Sequence, residues 1–214
     1  MTRPPLPVAV LVSGFGSNLQ ALIDADRAGH LDVDFRLVLS DRPEAHGLER
    51  ARAAGIPAAA LPPADFPGRA EWSQALDAAL RTSGSELLVL AGFMRVLGPE
   101  LVQAWEGRML NVHPSLLPRH RGLHTHRRAL ESGDAMHGAS IHYVTEELDG
   151  GPVILQARLP ILPGDDEVSL ARRVQTREHE VYPRVVQWIA QGWLAWRDGG
   201  PWLHGRRLDV PVRV

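Results

Sequence analysis

The chain opens its structural pattern with a continuous apolar run, Val8 to Val12, closed by Ser13-Gly14-Phe15-Gly16. An unbroken run of this length fits a strand covered on both faces, and the glycines fit a tight turn after it. Ser17-Asn18-Leu19-Gln20 matches a helix capping box, with Leu19, Leu22 and Ile23 at helical spacing behind it. Phe35 to Leu39 reads as a second strand, Ala45 to Ala54 as a helix ending at Gly55, and Pro57 to Leu61 as a short third strand. Arg69 to Thr82 is amphipathic, with Trp72, Leu76, Ala79 and Leu80 on one side. Leu87 to Leu90 and Arg108 to Val112 complete a series of buried strands.

This alternation predicts an α/β fold with a Rossmann-like, doubly wound, mostly parallel sheet. The pattern then changes. Ala139 to Thr145 and Val153 to Pro160 read as two strands joined by Glu147-Leu148-Asp149-Gly150-Gly151-Pro152, an antiparallel addition in the C-terminal half. Asp166 to Ala190 is helical in pattern, with Asp165 or Asp166 as its cap and Pro183 expected to kink or interrupt it. The tail from Trp193 reads as a short hairpin or coil. No repeat, low-complexity segment or linker divides the chain, so a single domain over residues 1–214 is expected.

Composition narrows the chemistry. The 214 residues are 44% hydrophobic and 22% charged, ordinary for a globular protein, and a net charge of −2 gives no nucleic-acid footprint. The absence of cysteine excludes disulfides, thiolate metal sites and cysteine nucleophiles. All 23 basic residues are arginine, which excludes a Schiff-base lysine and a P-loop lysine. The Pro-rich start, Met1 to Pro7, is unlike a signal peptide, and no stretch is long and apolar enough to span a membrane. A cytoplasmic protein with neither nucleic-acid nor membrane partners is expected.

Four groups of residues carry candidate chemistry. Asn111 and His113 lie two apart on a strand, so both point to one side, and Pro114 stops the ladder just after them. In open α/β sheets ligands bind at such carboxyl ends. Imidazole moves protons near neutral pH, and an amide donates to an oxyanion without changing charge. The turn Gly14-Phe15-Gly16-Ser17-Asn18 between a strand and a helix has the form of a phosphate nest, although it is neither G-x-G-x-x-G nor a P-loop. Asp149 sits in an Asp-Gly pair, which is a turn signal first and a catalytic carboxylate only with further support. His113, His120, His124 and His126 are close enough in sequence to raise metal binding, but no zincin-type motif accompanies them.

Taken in order, these pieces resemble the glycinamide ribonucleotide formyltransferases, a branch of the folate-dependent formyltransferase family, from Val8 to about Leu208. The matching segments are Ser13 to Gln20, Ala91-Gly92-Phe93-Met94-Arg95-Val96-Leu97, Asn111-Val112-His113-Pro114-Ser115-Leu116-Leu117-Pro118, Gly122 to His126, Gly138 to Ile154 and Arg173 to Pro183. The resemblance implies formyl transfer from 10-formyltetrahydrofolate, as cosubstrate, to the amine of glycinamide ribonucleotide, with no metal. It implies Asn111, His113 and Asp149 as the catalytic group, with Asn111 and a protonated His113 both donating to the developing oxyanion. It implies Gly16, Ser17 and Asn18 for the ribonucleotide phosphate and Glu178, with Gln175 one helical turn before it, for the glycinamide end. It implies Arg69, Leu90, Met94, Arg95, Val96, Leu97, Met109, Val144, Thr145, Glu146 and Leu148 for the folate. A monomer or weak homodimer is expected. Phe15 departs from the small or polar residue more usual in the family's phosphate turn, and His120-Arg121 stands in place of an aromatic–proline pair.

The nearest alternatives are a formyltetrahydrofolate hydrolase, which carries an extra N-terminal regulatory domain, and a sugar-nucleotide N-formyltransferase, which suits the phosphate turn and Glu178 less well. Methionyl-tRNA formyltransferase shares the Asn-x-His-Pro-Ser-Leu-Leu-Pro run but needs a tRNA-binding domain for which 214 residues are too few. A non-catalytic nucleotide-binding module and a histidine-based metal hydrolase are the readings from other classes.

Overall fold

A computed structural model of the chain describes residues 4–214. Met1 to Arg3, part of the Pro-rich start, lie outside the described residues. The element order is β1 (Leu6–Val12), α1 (Ser17–Arg27), β2 (Val33–Ser40), α2 (His46–Ala53), β3 (Ala58–Ala60), a 3-10 turn at Pro63–Asp65 and α3 (Arg69–Thr82). It continues with β4 (Leu87–Leu90), α4 (Pro99–Ala104), β5 (Met109–His113), α5 (Thr125–Glu131), β6 (Met136–Tyr143), β7 (Val153–Pro160) and α6 (Glu167–Ala190). The tail forms β8 (Leu194–Arg197), β9 (Gly200–Leu203), β10 (Arg206–Arg207) and β11 (Val212–Arg213).

The main sheet has the order β11-β7-β6-β5-β4-β1-β2-β3. Strands β3, β2, β1, β4 and β5 are parallel neighbours; β6 and β7 add antiparallel, the expected C-terminal addition. The unbroken apolar run of β1 has a direct cause. Val8, Val10 and Val12 enter one core with α1, α2 and α6, while Ala9 and Leu11 enter a second core with Trp72, Leu76 and Leu80 of α3. A strand covered on both faces has no polar side to alternate with.

The chain winds from β1 outward through β2 to β3, then crosses back to place β4 on the other side of β1. This reversal is a topological switch point, and it opens a crevice at the carboxyl ends of β1 and β4. The segments after β1, β4 and β5 therefore converge on one edge of the sheet.

Three local expectations are corrected. Helix α1 is capped by Gly16, in a left-handed conformation at φ 73°, and not by a Ser17–Gln20 box; no side chain caps it. A Cβ at Gly16 would stand 2.6 Å from Gly47 Cα, so the turn packs directly on the start of α2 and only glycine fits. Ser17 is thereby drawn into the helix as its first residue. Pro183 does not interrupt α6, which runs unbroken for 24 residues. Val181, Tyr182, Val185 and Val186 around it are buried in the core, and that packing outweighs one missing N–H. The tail is more ordered than a hairpin or coil: β8, β9 and β10 form an antiparallel sheet, and β11 returns to pair in parallel with β7. Asp166 caps α6 in a reciprocal box with Ser169, one of the two capping residues expected.

Candidate active site

Asn111 and His113 leave β5 on the same side of the sheet, opposite His142 and Ser140 of β6. His113 is 5% exposed. Its Nδ1 lies 3.3 Å from Asp149 Oδ2, and its Nε2 donates to the His120 carbonyl at 2.9 Å. A carboxylate and a carbonyl thus flank the two ring nitrogens, so a proton arriving on this imidazole is hydrogen-bonded on both sides. The geometry differs from the expectation that His113 and Asn111 both donate to one oxyanion. Nε2 is taken by the His120 carbonyl, and Asn111 carries the free donor.

Asp149 reaches the pair from the loop between β6 and β7. Its backbone is left-handed at φ 49°, and Gly150 N–H closes a turn on the Glu147 carbonyl at 3.0 Å. A Cβ at Gly151 would strike the Tyr143 carbonyl. The Asp-Gly-Gly sequence is therefore both a turn and the device that aims the carboxylate inward. Asp149 Oδ2 also accepts the Gly122 N–H at 2.8 Å, which ties the loop after β5 to the loop after β6. Arg121 adds an ion pair to Glu147 between the same loops.

His142 is the residue that sequence reasoning missed. Its Nδ1–H donates to the Tyr143 carbonyl at 2.8 Å, which leaves Nε2 as an acceptor for the Asn111 amide at 3.2 Å. Burial lowers its pKa to about 4, so the ring is neutral at pH 7. A neutral acceptor fixes which way the Asn111 amide faces and leaves its second N–H free. The signal in the sequence was a histidine inside the apolar run Ala139 to Val144, but only the β5–β6 register gives it a partner.

On the other side of the crevice, Asn18 Nδ2 donates to Glu178 Oε2 at 2.8 Å, and Gln175 Nε2 donates to Ser17 Oγ at 3.1 Å. Residues far apart in sequence are thus joined where α1 meets α6. Glu178 is 8% exposed, and burial pushes its carboxyl above the usual range, with the Asn18 amide pulling it partly back. Tyr182, one turn further along α6, directs its hydroxyl at the carbonyls of Leu90 (3.0 Å) and Leu110 (3.1 Å), anchoring the helix across β4 and β5. The first N–H groups of α1, at Ser17 and Asn18, have no intrahelical acceptor and point out of the helix start. Phe15 projects from this turn, 66% exposed, stacked on His46 at 5.0 Å and under the Arg50 guanidinium at 4.4 Å.

The segment after β4 forms the facing wall. Met94 N–H donates to Ser13 Oγ at 2.8 Å, linking this wall to the turn after β1. The Arg69 guanidinium holds the carbonyls of Val96 and Leu97, and Arg95 pairs with Asp41 at 2.9 Å. Met94 (61%), Val96 (59%) and Leu148 (55%) are large apolar side chains left exposed along this edge. Leu90 and Met109 lie behind the wall, in the core. Val144 N–H donates to the Met109 carbonyl, Thr145 hydroxyl to the Glu147 carbonyl, and Gln103 amide to Glu146, so the 144–148 loop is tied down along its length.

The histidines singled out for metal do not converge on one point. His120 pairs with Asp134 at 2.8 Å, and His126 meets His137 at 3.1 Å. His124 caps α5 in a left-handed conformation. No group of three or more potential ligands is gathered for a metal ion among the described residues. Nor is any helix among them long and apolar enough to cross a membrane.

Comparison with known proteins agrees with this geometry. Residues 6–186 match the formyl transferase family. The chain is 50% identical over 201 residues to the phosphoribosylglycinamide formyltransferase of Escherichia coli (strain K12), covering 94% of this chain and 95% of that relative. It is 40% identical over 193 residues to the trifunctional purine biosynthetic protein adenosine-3 of Homo sapiens, covering 90% of this chain and 19% of that larger protein. Among solved structures, the phosphoribosylglycinamide formyltransferase of Coxiella burnetii in complex with CHES superposes with a TM-score of 0.93 at 45% identity, covering 97% of this chain and 99% of that one. Shared fold, near-complete coverage and this level of identity lead to one conclusion: the chain belongs to the formyl transferase family, among its phosphoribosylglycinamide formyltransferases.

Proposed function

We propose that this protein transfers the formyl group of 10-formyltetrahydrofolate to the amine of glycinamide ribonucleotide, giving N-formylglycinamide ribonucleotide and tetrahydrofolate in purine biosynthesis. The observation that carries the reading is the Asn111–His113–Asp149 cluster standing between an anion-suited turn and an exposed apolar wall.

The formyl donor supplies an activated one-carbon group, and no metal is needed for the step. Attack by a neutral amine places negative charge on the formyl oxygen. The free N–H of Asn111, already oriented by His142, is the donor for that charge; one such preorganised donor is worth about 10²–10³ in rate. His113 contributes positive charge beside the reacting carbon when it holds a second proton. Asp149 accepts that proton's hydrogen bond at Nδ1 and relays it, through water, toward the leaving folate nitrogen.

The binding roles follow from residue chemistry. The outward N–H groups at Gly16, Ser17 and Asn18 suit a phosphate at a helix start. Gln175 and Glu178 suit the polar glycinamide end, and Glu178 draws in the ammonium form of the substrate, a positioning role. Arg69, Met94, Arg95, Val96, Leu97 and the 144–148 loop suit a flat apolar ring with polar edges, with Leu90 and Met109 backing it from the core. The same reading carries a one-domain cytoplasmic enzyme, monomeric or weakly dimeric, acting on small molecules.

The test is an assay of folate release from 10-formyltetrahydrofolate with and without glycinamide ribonucleotide. Release that depends on the amine supports transfer. Release at the same rate without it replaces the proposal by a hydrolase.

A further inference from the structure

The loop between β5 and α5 turns its backbone carbonyls toward side-chain donors. The Leu117 carbonyl accepts from the Gln156 amide at 2.8 Å, the Arg119 carbonyl from the Ser115 hydroxyl at 2.6 Å and the Arg121 carbonyl from the Arg128 guanidinium at 2.6 Å. The His120 carbonyl accepts from His113 Nε2 at 2.9 Å, so of these four it is the one that touches the candidate catalytic group. That carbonyl lies outside any helix or strand, so its direction depends on what holds His120.

His120 has φ 54°, a left-handed backbone that a non-glycine residue keeps only where its surroundings impose it. The imposing contact comes through its own side chain. His120 Nε2 donates to Asp134 Oδ2 at 2.8 Å, and the two side chains are nearly closed to solvent, 9% and 6% exposed. Asp134 is itself anchored, because its N–H donates to the Ala129 carbonyl at 3.1 Å and closes the end of α5. Arg119 meets the other carboxylate oxygen, but its side chain is 63% exposed, so solvent weakens that pair. His137 stands edge-on to the His120 ring at 6.2 Å. Burial lowers its pKa to about 4, so it brings no like charge to His120 at pH 7. His120-Arg121 is also the pair by which the sequence departs from the family pattern.

We propose that His120 and Asp134 are positioning residues for His113. Their hydrogen bond locks the left-handed turn, and the locked turn aims the His120 carbonyl at His113 Nε2. A carbonyl only accepts, so the contact holds hydrogen on Nε2 and fixes the ring with Nδ1 turned to Asp149. Neither residue reaches the reacting atoms; both act through His113.

The test compares His120→Gly, His120→Gln and Arg119→Ala with the wild type. Glycine takes φ 54° freely but offers nothing to Asp134, so it separates the backbone from the contact. The expected result for His120→Gly is a fall in kcat of about 10–100-fold with KM for both substrates within about twofold, the pattern of a misplaced catalytic group. His120→Gln, whose amide stands in for the ring Nε2–H, recovers most of the loss. Arg119→Ala stays within about twofold of the wild type, as expected for an exposed pair. Asp134→Asn keeps the volume and removes the charge from the bond; it gives the same pattern at lower amplitude and serves where the glycine variant does not fold. A second readout needs no turnover: proton NMR of the full chain with isotope-labelled histidine. The His113 Nε2–H, assigned through His113→Ala, gives a hydrogen-bonded imidazole resonance that His120→Gly loses and His120→Gln keeps. Wild-type kcat in His120→Gly, a change confined to KM, an equal loss in Arg119→Ala, or a His113 resonance unmoved in His120→Gly each overturns the positioning role. The kinetic readout rests on the formyl-transfer reading. A wild type without amine-dependent folate release ends that reading alone, and the resonance still decides the contact.

Discussion

His142 Nε2 lies 3.2 Å from Asn111 Nδ2, directly across the β5–β6 ladder, and accepts a hydrogen bond from it. The contact gives Asn111 a fixed orientation. An amide free to flip presents its carbonyl to the formyl oxygen half the time, and a carbonyl repels the charge that develops there.

This contact predicts a selective defect in His142→Ala. Turnover falls by about 10–100-fold, part of the loss expected for removing an oxyanion donor outright. KM for both substrates stays within a few-fold, because His142 sits behind Asn111. Steady-state kinetics separate the two effects, and a change confined to KM counts against the orienting role.

His113→Ala removes the imidazole that both holds charge and moves the proton. Turnover is expected to fall by at least about 10³-fold, with both contributions lost together. Ribonucleotide binding, measured by calorimetry, survives because the turn at Gly16 to Asn18 is untouched. Turnover like the wild type removes His113 from the mechanism.

Two histidines make stability depend on pH. Burial lowers His137 and His142 to about 4 from an ordinary value of 6.5. Between those values the unfolded chain binds protons that the folded chain refuses, so stability falls as pH falls through that window. For His142, which is 2% exposed, the full window corresponds to about 3 kcal/mol. Melting temperature followed from pH 7 down to pH 4 checks this, and His142→Asn flattens the decline. The same decline in His142→Asn and His137→Asn assigns it to other groups. Protonating His137 also sets like charges against His126, 3.1 Å away, in the helix that follows the loop holding His113.

Tyr182→Phe tests whether α6 is anchored through the sheet. Losing the hydroxyl leaves the Leu90 and Leu110 carbonyls without that donor and costs about 1–3 kcal/mol. A chain of this size then melts roughly 2–12 °C lower. Glu178, one turn before Tyr182, is expected to lose placement, so KM for the ribonucleotide rises more than kcat falls. An unchanged KM beside a lowered melting temperature limits Tyr182 to stability.

Much of the site was legible in the sequence because its parts are local. A strand's two-residue period alone puts Asn111 and His113 on one side, and Pro114 marks where the strand stops. Glycines between an apolar run and a helix mark the turn at Gly14 to Asn18. The ordered motifs from Ser13 to Pro183 point to the family.

The rest depended on residues far apart in the chain. Nothing near Asn111 in sequence specifies that β6 returns antiparallel with His142 opposite it, since register is set by burial across two strands. The local pattern around Asp149 reads only as a turn; the family resemblance implies a catalytic place for it, and the β6–β7 loop is what brings its carboxylate to His113. Ser17 matched a cap by its neighbours, yet the close approach of Gly16 to Gly47 moved the helix start back by one residue. Pro183 matched a break, yet the core around Tyr182 carried α6 through it. Sequence alone determined β1 to β7, the helices α1, α2, α3 and α6, and the polar pair at the end of β5, because neighbouring residues set backbone preference and period; the short helices α4 and α5 and the tail strands were not legible in it. Only the tertiary structure decided the strand order, the crevice at the β1–β4 switch point and the partners of that pair. Those follow from burying apolar surface and satisfying polar groups between distant segments.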